Sequence, residues 1–316
     1  MPARAPWVVP LILLLLALTT SAAHAAPPHG PEEAPGLFTG PTWRYGEQGI
    51  LLRTLGDFVA IPAELPRWRA QGWSGAAAVM VPVAVLMAPT DPSPDARFDL
   101  WTRDHLDGHI PHLWRWENQR VAWPLLAVGT AGTWGAAHLF HWPMVAQGSS
   151  LIVESVAVSQ VYHLSMKLLI GREGPSDGDG LGMVYGPAAS FGLFPAGTPS
   201  GHAATLFSML GAAQAWYRPP WPVAVTAHGL VGGLIVMHVF NHGHFPSDSL
   251  WGAAMGYAIG VWVVQHRGSA GLDGAGMSGP AGGPAGGPWG RQPVVLRLAP
   301  WSIPGGTTGV LLAVDW

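Results

Sequence analysis

Six apolar stretches, at roughly 74–89, 121–140, 149–170, 203–217, 222–240 and 249–264, constrain this chain more than any other feature. Several fall short of the ~20 residues that a membrane-spanning helix needs, and some carry His or Gln. Tilted membrane helices and the buried helices of a soluble bundle both satisfy the pattern. Only 10% of the residues are charged while 49% are hydrophobic, against about 25% charged in an ordinary soluble domain. With 17 Trp and 43 Gly, that balance favours closely packed helices in or near lipid, where small residues let helices approach. The expected fold class is therefore all-α, a membrane-embedded bundle of six helices.

The remaining chain divides by composition. Residues 1–25 hold Arg4, an apolar run from Trp7 to Leu18 and the small-x-small triplet Ala23-His24-Ala25, the pattern of an export signal or a short N-terminal anchor. Residues 26–73 combine a Pro/Gly-rich extended segment with a short amphipathic helix near Ile50 to Leu65. Within the 74–267 body, Thr90 to Arg120 holds most of the mid-chain charge, with Trp101, Trp114, Trp116 and Trp123 close by. That reads as an interfacial excursion with aromatic anchors. Residues 268–293 are a Gly/Pro/Ala linker, and 294–316 form a tail with two short strand-like runs around Pro304-Gly305-Gly306. A net charge of −3 gives no basic stripe for nucleic acid. With no cysteine in the chain, disulfides and thiolate metal sites are excluded.

Three clusters carry chemistry. In Thr198-Pro199-Ser200-Gly201-His202, directly before an apolar run, Ser200 is placed as a helix N-cap and Gly201 permits close backbone approach to a ligand. Amide groups at a helix start make an anion site, and His202 stands beside it. In His244-Phe245-Pro246-Ser247-Asp248, a carboxylate four residues after a histidine can bond one ring nitrogen and aim the other outward. Lys167 ends the third apolar stretch, before Gly171-Arg172-Glu173-Gly174-Pro175. If successive stretches alternate in direction, these three clusters share one face, and the convergence defines a phosphate site.

The order and spacing of these residues resemble the superfamily of type 2 phosphatidic acid phosphatases, bacterial acid phosphatases and vanadium haloperoxidases, over roughly 74–264. The signature of that superfamily is K-x6-R-P, then P-S-G-H, then S-R-x5-H-x3-D. The second motif is intact as Pro199-Ser200-Gly201-His202; the third keeps His244 and Asp248, and the first keeps Lys167 and Pro175. The resemblance implies a metal-independent phosphatase without cofactor. His244 is then the nucleophile that becomes a phosphohistidine, Asp248 its orienter and His202 the acid on the leaving oxygen. Lys167, Ser200 and the Gly201 amide hold the phosphate. The motif arginines fall on Gly174 and His238, and neither residue reproduces a guanidinium fork. Arg172 and His238 are the residues expected to supply the missing phosphate contacts.

Two alternatives compete with phosphate-ester hydrolysis: a weakened relative that binds anionic phospholipid headgroups, and a metal site built from His238, His242, His244 and Asp248. The expected partners are a phosphorylated small molecule or lipid and a membrane. Arg218 and Arg267 lie on the face opposite the motifs, which by the positive-inside rule turns the site outward. The expected location is a bacterial inner membrane with a periplasm-facing site, or the periplasm itself.

Overall fold

A computed structural model describes residues 50–67, 70–106, 119–176, 178–187, 197–274, 295–303 and 307–315. The expected signal segment and most of the linker lie outside these residues. The helices are α1 (Ile50–Glu64), α2 (Ala70–Leu86), α3 (Pro94–Leu106), α4 (Gln119–Leu139), α5 (Pro143–Ile170), α6 (Gly201–Tyr217), α7 (Trp221–Phe240) and α8 (Pro246–Gly274). Near the C-terminus, β1 (Val295–Ile303) and β2 (Thr307–Asp315) pair antiparallel, with Val295 opposite Asp315 and Ile303 opposite Thr307.

The six apolar stretches correspond to α2 and α4 to α8. Of the remaining two, α1 lies where a short helix is expected near Ile50 to Leu65, and α3 changes the picture of the charged segment. Part of what reads in sequence as an interfacial excursion is α3, whose Asp95, Ala96, Phe98, Asp99 and Thr102 are buried. Asp95 and Asp99 face inward because they have partners there, described below.

At the centre, α6 packs on α8, and α5 packs on both. The approach is close because α8 offers a glycine every fourth residue. Side chains four apart share one helix face. A Cβ at Gly252, Gly256 or Gly260 would overlap the carbonyl oxygen of Ser200, Ala204 or Ser208 on α6. Backbone thus meets backbone, with no side chain between. Below this contact Leu151 and Val158 of α5, Trp216 of α6 and Val263 of α8 close one apolar core. Phe207, Ile235 and Tyr257 close a second, joining α6, α7 and α8.

Two ends of the bundle differ in chemistry. At one end, Arg53 and Asp57 of α1 meet Glu154 of α5 and Arg267 of α8: Arg53 lies 3.1 Å from Glu154, and Arg267 pairs with Asp57. Arg267 is thus paired with a buried carboxylate rather than a bare positive charge on that face. The motif residues collect at the other end.

Candidate active site

Helix α6 begins as its sequence dictates. Ser200 is the N-cap in extended conformation, and its hydroxyl accepts from the Ala203 amide at 3.3 Å. The Ser200 amide donates to the Asp248 carbonyl at 2.9 Å, so the start of α6 is fastened to the first turn of α8. On α8, Asp248 reaches back to accept from the Phe245 amide at 3.0 Å. That is the reciprocal half of a helix-capping box, so the carboxylate is fixed before any catalytic partner is considered.

The two oxygens of Asp248 face different partners. Oδ2 lies 3.6 Å from Nδ1 of His244, which leaves Nε2 as the ring nitrogen open to a ligand. Oδ1 accepts from Nη1 of Arg172 at 2.9 Å and from the Thr198 hydroxyl. Burial works against ionisation of Asp248, but the His244 ring, the Arg172 charge and the Thr198 hydroxyl outweigh it and hold the carboxyl below its usual range. Burial pushes the His244 imidazole down, against the raising effect of Asp248. A neutral ring with a lone pair is the form a nucleophile needs.

Arg172 is fully buried, and protein atoms occupy each of its nitrogens. Nε donates to the Gly182 carbonyl at 3.0 Å, Nη1 also to Ser247 Oγ at 2.8 Å, and Nη2 to Asp95 Oδ2 at 2.9 Å. Its guanidinium carbon sits 4.7 Å above the Phe245 ring. Arg172 therefore backs Asp248 from the side away from His244, so the structure assigns it no open donor for phosphate. Asp95 was not among the residues that the sequence singled out. It accepts from Arg172 and from Ser247, whose side chain and amide both donate to it. One guanidinium thus serves two carboxylates, and burial, with the added charge of Asp248, pushes the Asp95 carboxyl up.

On the open side of His244 the imidazoles gather. The His202 ring lies 4.3 Å from His238 and 6.1 Å from His244, and His238 lies 5.3 Å from His244. His238, at the position of the second motif arginine, therefore joins the cluster. The charge of Lys167 disfavours the protonated forms of His202 and His244. His242 does not join: α7 ends at Phe240, and His242, at a φ of 57°, turns its Nδ1 to Asp99 Oδ1 at 2.6 Å. The expected i, i+4 face of His238 and His242 is broken by that helix end.

A fourth imidazole was hidden inside an apolar stretch. His163, one turn before Lys167 on α5, is buried, with Nδ1 3.1 Å from Gln160 Oε1. The Gln160 amide nitrogen donates to Thr205 Oγ1 at 2.7 Å, so its oxygen must accept and His163 must carry its proton on Nδ1. A Cβ at Gly201 would lie 2.6 Å from His163 Cε1 and 2.7 Å from Nε2. The glycine of the Pro-Ser-Gly-His motif is thus required by a neighbouring side chain as well as by any ligand. Gly201→Ala is expected to displace His163 and tilt the start of α6, costing about 1–3 kcal/mol of stability. Thermal melts of the two proteins check this; an unchanged midpoint would show that the space is not restrictive.

With this geometry in place, the family comparison agrees with the motifs. Residues 149–270 match the model of the PAP2 superfamily. The matched region takes in Lys167, Ser200 to His202 and His244 to Asp248. No curated protein and no solved structure matches the chain. This match supports phosphatase-type chemistry in general.

Proposed function

We propose that the chain hydrolyses phosphate monoesters, or lipid phosphates and pyrophosphates, through a phosphohistidine on His244. The observation that carries this reading is the buried His244–Asp248 pair, braced by Arg172, beside the capped start of α6. Nε2 of His244 forms the N–P bond as the bond to the leaving oxygen breaks, and His202 supplies the proton to that oxygen. Water then cleaves the N–P bond and releases inorganic phosphate. Lys167 and the amides at the start of α6 oppose the phosphate charge. His202 is pushed down to about 3 by burial, then by its neighbours His238, His244 and Lys167. A phosphate dianion beside the ring favours the imidazolium, the form that can donate this proton.

A membrane setting is part of the proposal. Helix α7 is long and apolar enough to cross a bilayer, by length and composition. Large apolar side chains also point outward on other helices, including Val85 on α2 and Val128 on α4, a surface suited to lipid. Arg218, at the end of α6 away from the motifs, would then turn the site to the periplasm by the positive-inside rule.

The test is turnover of a chromogenic phosphomonoester and of phosphatidic acid in mixed micelles, each with and without chelator. Release of phosphate that a chelator does not abolish is the expected result; absence of turnover on both substrates overturns the reading. His238→Arg, which restores a guanidinium at the motif position, is expected to raise kcat/KM by about 10-fold or more, since a preorganised donor typically contributes ~10²–10³. An unchanged or lower kcat/KM would show that His238 does not occupy a phosphate-binding position.

A further inference from the structure

We infer that His202, His238 and His244 form a binding site for a divalent transition ion of the zinc type. One nitrogen from each of the three rings lies within 4.8 Å of the other two. The rings come from three separate elements: the first turn of α6, the last turn of α7 and the loop before α8. Their convergence is therefore a product of tertiary packing and not of helical spacing. Zinc bonds imidazole nitrogen at about 2.0–2.1 Å in tetrahedral geometry, which sets neighbouring nitrogens about 3.3 Å apart. Closing the observed triangle onto an ion requires shifts on the order of 1 Å, within reach of χ1 and χ2 rotations at two helix ends.

Two further features fit a metal. The His244 ring presents Nδ1 to Asp248 at 3.6 Å, and closing that gap to a hydrogen bond would give the carboxylate–histidine relation that orients a metal ligand and raises its basicity. A Cβ at Gly243 would lie 2.5 Å from Nε2 of His238, so the absent side chain there shapes the position of the second ring. Three imidazoles leave the fourth position of a tetrahedral ion open to water or a phosphate oxygen. The set differs from one built on His238 and His242, because His242 is engaged by Asp99.

The inference does not depend on the phosphatase reading, and it has a consequence for it. Metal and phosphoryl group would compete for the same nitrogen of His244. Zinc is therefore an inhibitor of phosphohistidine formation: that nitrogen holds the ion or the phosphoryl group, not both.

The experiment is titration of the purified, metal-stripped full chain with Zn²⁺, followed by calorimetry, and with Co²⁺, followed by absorption between about 500 and 650 nm, where tetrahedral cobalt absorbs strongly. Expected are one ion per chain and intense cobalt bands. His202→Ala and His238→Ala should each lose them, Gly243→Ala should weaken binding by about 10-fold or more, and His242→Ala should leave it unchanged. The cobalt spectrum of the unaltered protein decides the matter even if a variant misfolds. No stoichiometric binding, or octahedral-type weak bands, overturns the inference. So does zinc affinity equal in the intact chain and in folded His238→Ala. Binding is read without substrate, so absence of phosphatase turnover leaves this result standing, and turnover without binding refutes the metal alone.

Discussion

His244→Ala is expected to reduce phosphate release by on the order of 10⁴–10⁶, the scale on which losing a covalent nucleophile ordinarily acts. The expectation rests on the buried carboxylate behind this ring: Asp248 Oδ2 lies 3.6 Å from Nδ1 of His244. His202 and His238 share its pocket. Trapping of labelled phosphate on the denatured protein in a rapid quench separates a covalent role from a binding role. Acid-labile label on the intact chain and none on His244→Ala is the expected pattern. Undiminished label on the variant would move the nucleophile elsewhere.

The second large effect is on folding. Arg172→Met is expected to destabilise the chain by about 3–5 kcal/mol, the usual consequence of removing one partner of a buried charge pair. Here Asp95 and Asp248 would both remain, fully buried, with no cation between them. Arg172→Met combined with Asp95→Asn removes one of those carboxylates and is expected to recover part of the loss. Chemical denaturation of the two variants measures this. Equal loss in both would mean that the guanidinium acts by filling space rather than by charge. Substrate KM, where the single variant folds, should change little, because the guanidinium does not face the imidazole cluster.

Much of the site was legible in the sequence because its parts are local motifs. Ser200 capping α6 and Asp248 four residues after His244 are short-range patterns that fix their own geometry. The helix starts that hold them follow from Pro246 and from the apolar runs behind. What could not be read depends on contacts across long separations. Asp95 lies 77 residues before Arg172 and 152 before Ser247, within a segment whose charge suggests a surface. No periodicity marks it. His163 was masked differently: it sits in an apolar stretch, and its one available signal is the i, i+4 spacing to Lys167, which places both on one face of α5. Arg172 stands two residues from the expected motif position, and only its partners show that it supports Asp248 instead of substrate. The helix count shifted for a similar reason. α3 carries a buried polar face, which an apolar search passes over.

The glycines of α8 act as a ruler. Gly252, Gly256 and Gly260 each receive one carbonyl of α6, so sliding by a single residue would drive a side chain into the opposing backbone. A displacement of a whole helical turn, about 6 Å for four residues, would match only two of the three glycines and set Asp248 or Val264 against the remaining carbonyl. Such a step would also sever the bond between the Ser200 amide and the Asp248 carbonyl. The distance between the start of α6 and the His–Asp pair is therefore fixed. A mechanism that opens this site by gradual shear of α6 against α8 is ruled out by the contact; access must come from motion of the surrounding helices.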